Sequence, residues 1–426
     1  MKSLLTVILA LCLFIPSLNA RTFEKIYVID VEGVINSVLA SFLIDTIDTV
    51  DKKGDGIIII KIDTPGGLLE ATRDIVLKIM NTSSPLIGYV SPEGARAASA
   101  GAFIMLACDV LAMSPTSHIG AAHPVNLGQK IDREMEKKIV NDTVAFIIGI
   151  ARKRGKNPDL ARLMVTKSVS ITAWEARQKN IADLLAVDLK ELKKQLENYK
   201  IKRDTGDILL QLQKAQFEER QMNILEKFLF SISHPNIAYI LLLLGIYGIM
   251  AEFSSPGIGF PGVVGSICLI LAFFALNTLP INLAGLILIF LSIVLFILEL
   301  KIASGGILGI GAAVSFVLGS VMLLRTSAKF LQISPVVLIS AAVFTIGFFL
   351  LLAYFGVKVQ FAKVQTGQEG IIGETGYARS DLDPRGEVFV AGERWQAIGL
   401  NNQKIKKGSR IKVIDIKHLQ LIVKQE

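Results

Sequence analysis

The stretch best suited to nucleophilic chemistry is Gly94-Ala95-Arg96-Ala97-Ala98-Ser99-Ala100-Gly101, a lone serine among small residues. Apolar runs flank it at 84–90 and 102–107. The pattern fits a tight turn that opens a buried helix. Small neighbours let a substrate backbone approach the hydroxyl, and the N–H after the serine, unpaired at a helix start, can stabilise an oxyanion. Taken alone, the same residues fit a small-residue helix packed on a neighbour equally well. A second stretch, Asp63-Thr64-Pro65-Gly66-Gly67-Leu68-Leu69, follows the continuous apolar run 56–62. A Gly-Gly pair where a strand gives way to a helix is a natural source of another oxyanion N–H. A serine hydroxyl needs a base at neutral pH. Both Lys138 and His123 are available downstream, Lys138 within a charge cluster of the kind that usually forms a solvated helix face.

The elements around these stretches alternate. Strands are expected at 25–31, 56–63, 85–90 and 110–114, and helices at 34–50, 68–80, 98–107 and 132–153. Such alternation implies a mostly parallel sheet with crossover helices. Thr172 and Glu175 form a capping-box pattern that starts another helix. Residues 188–222, rich in Lys, Glu and Gln, read as a polar helical stalk.

The order strand, Thr-Pro-Gly-Gly, helix, strand, Ala-Ala-Ser-Ala-Gly, helix resembles the ClpP-class serine peptidases. Within them it is most similar to the membrane-bound NfeD proteins, with signal peptide peptidase A as a cousin. The resemblance implies a multi-domain chain: an α/β ClpP/crotonase-like spiral domain, an α-helical transmembrane region and an all-β OB-fold C-terminal domain. It implies Ser99 as nucleophile, Gly67 and Ala100 as oxyanion donors, and Lys138 as base, its pKa lowered by burial beside Ile139. His123, in the segment where ClpP carries its catalytic histidine, is the alternative base. The resemblance further implies a serine endopeptidase that cleaves hydrophobic segments of a stomatin-like membrane partner and assembles as a homo-oligomer, with no metal or organic cofactor.

Composition sets the frame. The chain has 426 residues, 52% of them hydrophobic, and a mean hydropathy of +0.54, too apolar for a wholly soluble protein. Residues 1–20 read as a cleaved signal peptide, which places the next domain outside the cytoplasm. The expected domains are then the peptidase at 21–200, a stalk or linker at 201–235, about five membrane helices at 236–356 and a small five-stranded barrel at 366–426. Five spans across the cell (inner) membrane put the C-terminal domain in the cytoplasm, whereas four, with one segment re-entrant, would put it outside. A formal charge of +8 without an aromatic-interleaved basic motif points to a membrane lipid surface rather than nucleic acid. Three cysteines and four histidines show neither a disulfide framework nor a metal pattern. Two other readings remain open: a non-catalytic membrane scaffold for stomatin-like proteins, and a crotonase-type acyl-CoA enzyme, which the signal peptide disfavours.

Overall fold

The computed structural model describes residues 19–124, 132–204, 206–254, 259–279, 281–302, 304, 306–324, 326, 328–360 and 368–426. The apolar leader run 4–16 lies outside them. Strand β1 (Asn19–Thr22) precedes β2 (Lys25–Glu32), helix α1 (Ser37–Lys53), β3 (Gly56–Asp63), α2 (Leu69–Met80) and β4 (Leu86–Val90). Then come β5 (Arg96–Ala98), α3 (Ala100–Ala107), β6 (Val110–Met113), β7 (His118–Gly120), α4 (Arg133–Lys153) and α5 (Pro158–Thr166). β8 (Ser170–Thr172), α6 (Ala173–Gln178) and β9 (Leu184–Leu185) follow.

Parallel pairing joins β2, β3, β4, β6 and β9 into one sheet. In β3 the run of isoleucines is buried because both faces of the sheet are covered. Tyr27, Ile29, Ile58, Ile60 and Ile62 point into one core with α1, α2 and α3, while Ile26, Val28, Ile57 and Ile59 point into a second. Arg154 and Arg203 clamp the buried Asp109 carboxylate. Asn36 caps α1 through a bond from Leu39 N to its side-chain oxygen, and the Thr172–Glu175 capping box forms at α6.

The stretch expected as a helical stalk folds differently. It holds α7 (Leu189–Leu196), β10 (Lys200–Ile201), β11 (Ile208–Gln211) and β12 (Gln216–Arg220). β12 pairs in parallel with β2 as the edge of the main sheet, and β11 pairs with β1. The domain therefore runs past residue 200 to Arg220. Leu192, Leu196, Ile201, Leu210, Leu212 and Ala215 are the reason, since all six are buried in the second core. Polar residues between them hid the pattern.

Helix α8 (Ile224–Ile232) leads into α9 (Pro235–Ser254), α10 (Phe260–Asn277), α11 (Leu283–Ile302), α12 (Ile307–Leu323) and α13 (Pro335–Gln360), with a 3₁₀ turn at Lys329–Leu331. Three segments, Pro235–Phe253, Phe260–Asn277 and Pro335–Leu352, are long and apolar enough to cross a membrane; Leu283–Glu299 and Ile307–Leu323 are shorter apolar helices. α9 and α10 pack through glycines: a Cβ on Gly248 would lie 2.7 Å from Gly265 Cα. The chain divides into two compact units, residues 1–294 with 310–342, and 295–309 with 343–426. In the second unit, after α14 (Gln368–Ile371), β13 (Thr375–Ala378), β14 (Arg385–Val390), β15 (Glu393–Gly399), β16 (Arg410–Lys417) and β17 (Gln420–Gln425) close a barrel in the order β13-β14-β15-β17-β16. Val388, Val390, Ile411, Val413, Leu421 and Val423 fill it.

Candidate active site

The site is built where β3 ends. Thr64 is fully buried; its hydroxyl donates to Gly33 O at 2.6 Å and accepts from Gly66 N at 3.0 Å. These bonds fix the turn that follows. Ile35 N donates to Gly66 O and Leu68 N to Ile35 O, each within 3.0 Å. Gly67 is held so close to Ile35 that an added Cβ would lie 2.1 Å from Ile35 O. Between those two bonds the Gly67 N–H has no acceptor among the described residues.

Ser99 sits beside this turn. Parallel pairing of β5 with β7 delivers it, and its own N–H donates to Gly120 O at 2.9 Å. Its backbone lies at φ 51°, ψ −111°, a strained region for a non-glycine residue. α3 begins at the next residue, so the Ala100 N–H is an orphan helix-start donor with no acceptor among the described residues. Ser99 Oγ likewise makes no hydrogen bond among the described residues. A Cβ on Gly66, which has φ +127°, would lie 2.8 Å from Ser99 Cβ and 3.2 Å from Ser99 Oγ. Only glycine permits both this backbone and this approach. Gly101 serves the same end one turn along, because a Cβ there would meet Thr64 Cγ2 at 2.6 Å. An open cleft of about 490 Å³, lined by Glu32, Gly33, Asp63, Pro65, Gly94, Arg96 and His118, runs along the carboxyl ends of β2 and β3.

The two candidate bases differ. His123 is half-buried, with Nδ1 2.8 Å from Val165 O. A carbonyl only accepts, so Nδ1 donates, and this bond fixes the orientation of the ring. Lys138 lies on the exposed N-terminal part of α4, without an ionic partner among the described residues. Its exposure differs from the burial expected of it. The reason is where α4 docks: Phe146 stacks on Phe103 of α3 with centroids 5.9 Å apart, and the buried face of the helix begins only at Thr143. Neither base is hydrogen-bonded to Ser99, and the preceding residues 125–131 are outside the described part. Cys108, at the end of α3, is fully buried, and desolvation pushes its thiol up to about 12, which makes it chemically quiet.

Three family models match this chain in succession: the N-terminal domain of NfeD1b over residues 25–219, the NfeD integral membrane domain over 236–354, and the NfeD-like C-terminal, partner-binding domain over 368–425. The membrane-bound protease PH1510 of Pyrococcus horikoshii is 32% identical over 413 residues, 94% of this chain and 93% of that protein. The chain belongs to the NfeD family. Membrane protein NfeD1b of Bacillus subtilis is 29% identical over 436 residues, 96% of this chain and 94% of its own length. Among solved structures, a stomatin-specific membrane-bound protease N-domain, a lysine-to-alanine mutant with a substrate peptide, is 29% identical. It covers 49% of this chain and 98% of its own, with a TM-score of 0.46. This NfeD chain is thus a membrane-bound protease with an α/β domain, apolar helices and a five-stranded, OB-like C-terminal barrel. The sequence reading named Ser99, Gly67 and Ala100, but not Thr64, Gly66 or Gly101. Their roles depend on a close approach between two distant loops, which leaves no local signal beyond the small-residue pattern.

Proposed function

We propose that this NfeD chain is a serine endopeptidase in which Ser99 is the nucleophile, the N–H groups of Gly67 and Ala100 form the oxyanion hole and Lys138 is the base. The observation that carries the reading is the strained Ser99 at the start of α3, against a Gly66-Gly67 turn whose second N–H is free. Ser99 Oγ attacks a peptide carbonyl carbon and passes its proton to Lys138 Nζ. The tetrahedral intermediate collapses, the C–N bond breaks and the amine leaves with that proton. Water then hydrolyses the acyl-enzyme. An exposed ammonium is a poor base. Substrate or a second copy of the chain covering α4, where Met135 is half exposed beside Lys138, would exclude water from the Lys138 side chain. This favours a homo-oligomer as the working form.

The substrate implied by the sequence resemblance is a hydrophobic segment of a stomatin-like membrane protein. With five membrane helices and the peptidase domain outside the cytoplasm, as the sequence reading has it, the active site would stand beside such segments, next to membrane lipid, and the barrel would lie in the cytoplasm. No step needs a cofactor. His123 remains the second reading for the base, because the Nδ1 bond to Val165 O holds its ring in one orientation.

The test is cleavage of an apolar peptide, and fluorophosphonate labelling, by the full chain and its Ser99→Ala, Lys138→Ala and His123→Ala variants. Loss on Ser99→Ala and a drop of about 10²–10⁴-fold on Lys138→Ala, with His123→Ala retaining much activity, supports the Ser–Lys pair. The reverse ranking of the two bases assigns the role to His123. Equal inertness of wild type and Ser99→Ala, without labelling, leaves the scaffold reading.

A further inference from the structure

The turn between α12 and α13 reaches the nucleophile. The point where a Cβ on Gly66 would sit is 3.3 Å from Phe330 Cζ and 3.2 Å from Ser99 Oγ. Phe330 and Ser99 thus both border the same methyl-sized space at Gly66. Phe330 belongs to the same compact unit as the peptidase domain. Its turn is not a loose loop. Ala328, Leu331 and Ile333 are buried, Leu331 N donates to Ala328 O, Gln332 Nε2 donates to Thr326 O at 2.6 Å, and Ser334 N donates to Asn236 Oδ1 at 2.7 Å. Phe330 itself stays only half-buried, so its ring is presented rather than absorbed into the helix bundle. A second phenylalanine from the membrane-proximal chain behaves alike: Phe230 of α8 comes within 3.9 Å of the Cβ position at Gly33, whose carbonyl holds Thr64.

We propose that Phe330 is an intramolecular plug: its ring fills the space beside Gly66 and Ser99 in the resting enzyme, and an incoming hydrophobic substrate segment must displace it. The assignment rests on Ser99 being the nucleophile. A phenyl ring against Gly66 has the size and chemistry of an apolar substrate side chain, but it carries no scissile carbonyl to the hydroxyl. It blocks the approach of a substrate side chain without being cut. Because its turn links two apolar helices, any displacement is felt by those helices. This gives a membrane-embedded partner a direct way to open the site.

The test uses the full chain in membranes. Rates of Ser99 labelling by a fluorophosphonate are compared for wild type, Phe330→Ala and Phe330→Leu, with Phe260→Ala, at the exposed start of α10, as control. If the plugged form holds about nine-tenths of the molecules, Phe330→Ala labels about tenfold faster, Phe330→Leu falls between, and Phe260→Ala matches wild type. Equal or slower labelling of Phe330→Ala overturns the plug. A second measurement does not depend on catalysis. Phe330→p-benzoylphenylalanine is irradiated and the cross-linked peptides are mapped. Cross-links to residues 64–67 or 97–101, suppressed by excess apolar peptide, support the occupancy. Their absence overturns it even where Ser99 labels normally. Cross-links without any Ser99 labelling uphold the contact and overturn the peptidase reading instead.

Discussion

Gly101→Ala isolates the approach of the two loops that make the site. The new methyl would lie 2.6 Å from Thr64 Cγ2, with Ala97 Cβ at 3.4 Å and Ile62 Cδ1 at 3.7 Å. Carbon atoms rest at about 3.5–4.0 Å, so α3 and the end of β3 must part by about 1 Å. Overpacking of this kind costs about 1–3 kcal/mol. The better helix propensity of alanine returns about 0.5–1 kcal/mol. Folding is thus weakened only moderately, while Ser99 and the Gly67 N–H move apart. A shift of about 1 Å in an active site costs on the order of 10²-fold in rate. Thr64→Ser removes the offending methyl and keeps the hydroxyl that bonds Gly33 O and Gly66 N. The double variant Gly101→Ala/Thr64→Ser therefore recovers most of kcat/KM, with a coupling of about 2 kcal/mol in the double-mutant cycle. The assay is peptide hydrolysis by the full chain in detergent, with thermal unfolding of the same samples. Near-wild-type hydrolysis by Gly101→Ala, or a double variant no better than the product of the singles, refutes the claim that this contact sets the site.

Three further expectations concern the scaffold. Asp109→Ala leaves the Arg154 and Arg203 guanidiniums, both mostly buried, without their shared carboxylate, and it should cost about 3–5 kcal/mol in denaturant unfolding. The Cys108 thiol, pushed up to about 12 by burial from 9.0, means the folded state holds a proton that the unfolded chain gives up from about pH 9. Its contribution is complete below pH 9 and declines toward pH 12, so Cys108→Ala should flatten the loss of stability across that window, and alkylation at pH 8 should require unfolding. A chain ending at residue 200 lacks β12 and bares the β2 edge, so it should aggregate, whereas one ending at residue 222 should be soluble and fold cooperatively by circular dichroism.

Much of the nucleophile loop was legible because it is local. The isoleucine run 57–60 leading into Thr-Pro-Gly-Gly marks a buried strand and a turn, and together with that turn Ser99 among alanines reads as a tight helix start. The capping box at Thr172 was equally readable, since its partner is three residues away. The edge strand β12 was not: Gln216–Arg220 is polar in four of five positions, and only its partner β2 makes it a strand. Nor was the exposure of Lys138, which depends on how far along α4 the helix meets α3. Phe330 gave no signal at all, being more than 230 residues from Ser99 and unremarkable among apolar neighbours.

Membrane sidedness follows from the same long-range contacts. Asn282 N donates to Leu323 O, and Ser334 N donates to Asn236 Oδ1. The start of α9, the start of α11, the end of α12 and the start of α13 are therefore gathered at one level. That level is also the one that carries Phe330 to Ser99. If α9 and α10 both span, they form a pair, and Phe260 at the start of α10 is expected on the opposite side of the bilayer from this level. In intact cells a membrane-impermeant maleimide should label Gln332→Cys, an exposed position beside the plug, and Lys190→Cys, an exposed position of the peptidase domain, and should reach Phe260→Cys only after lysis. Cys108 will not interfere, since its thiol is buried and protonated. Labelling of both positions from the same side would show that α9 and α10 do not span. Labelling of Gln332→Cys only after lysis, with the peptidase domain exposed outside, would separate the Phe330 turn from Ser99 by a bilayer and remove the plug with it.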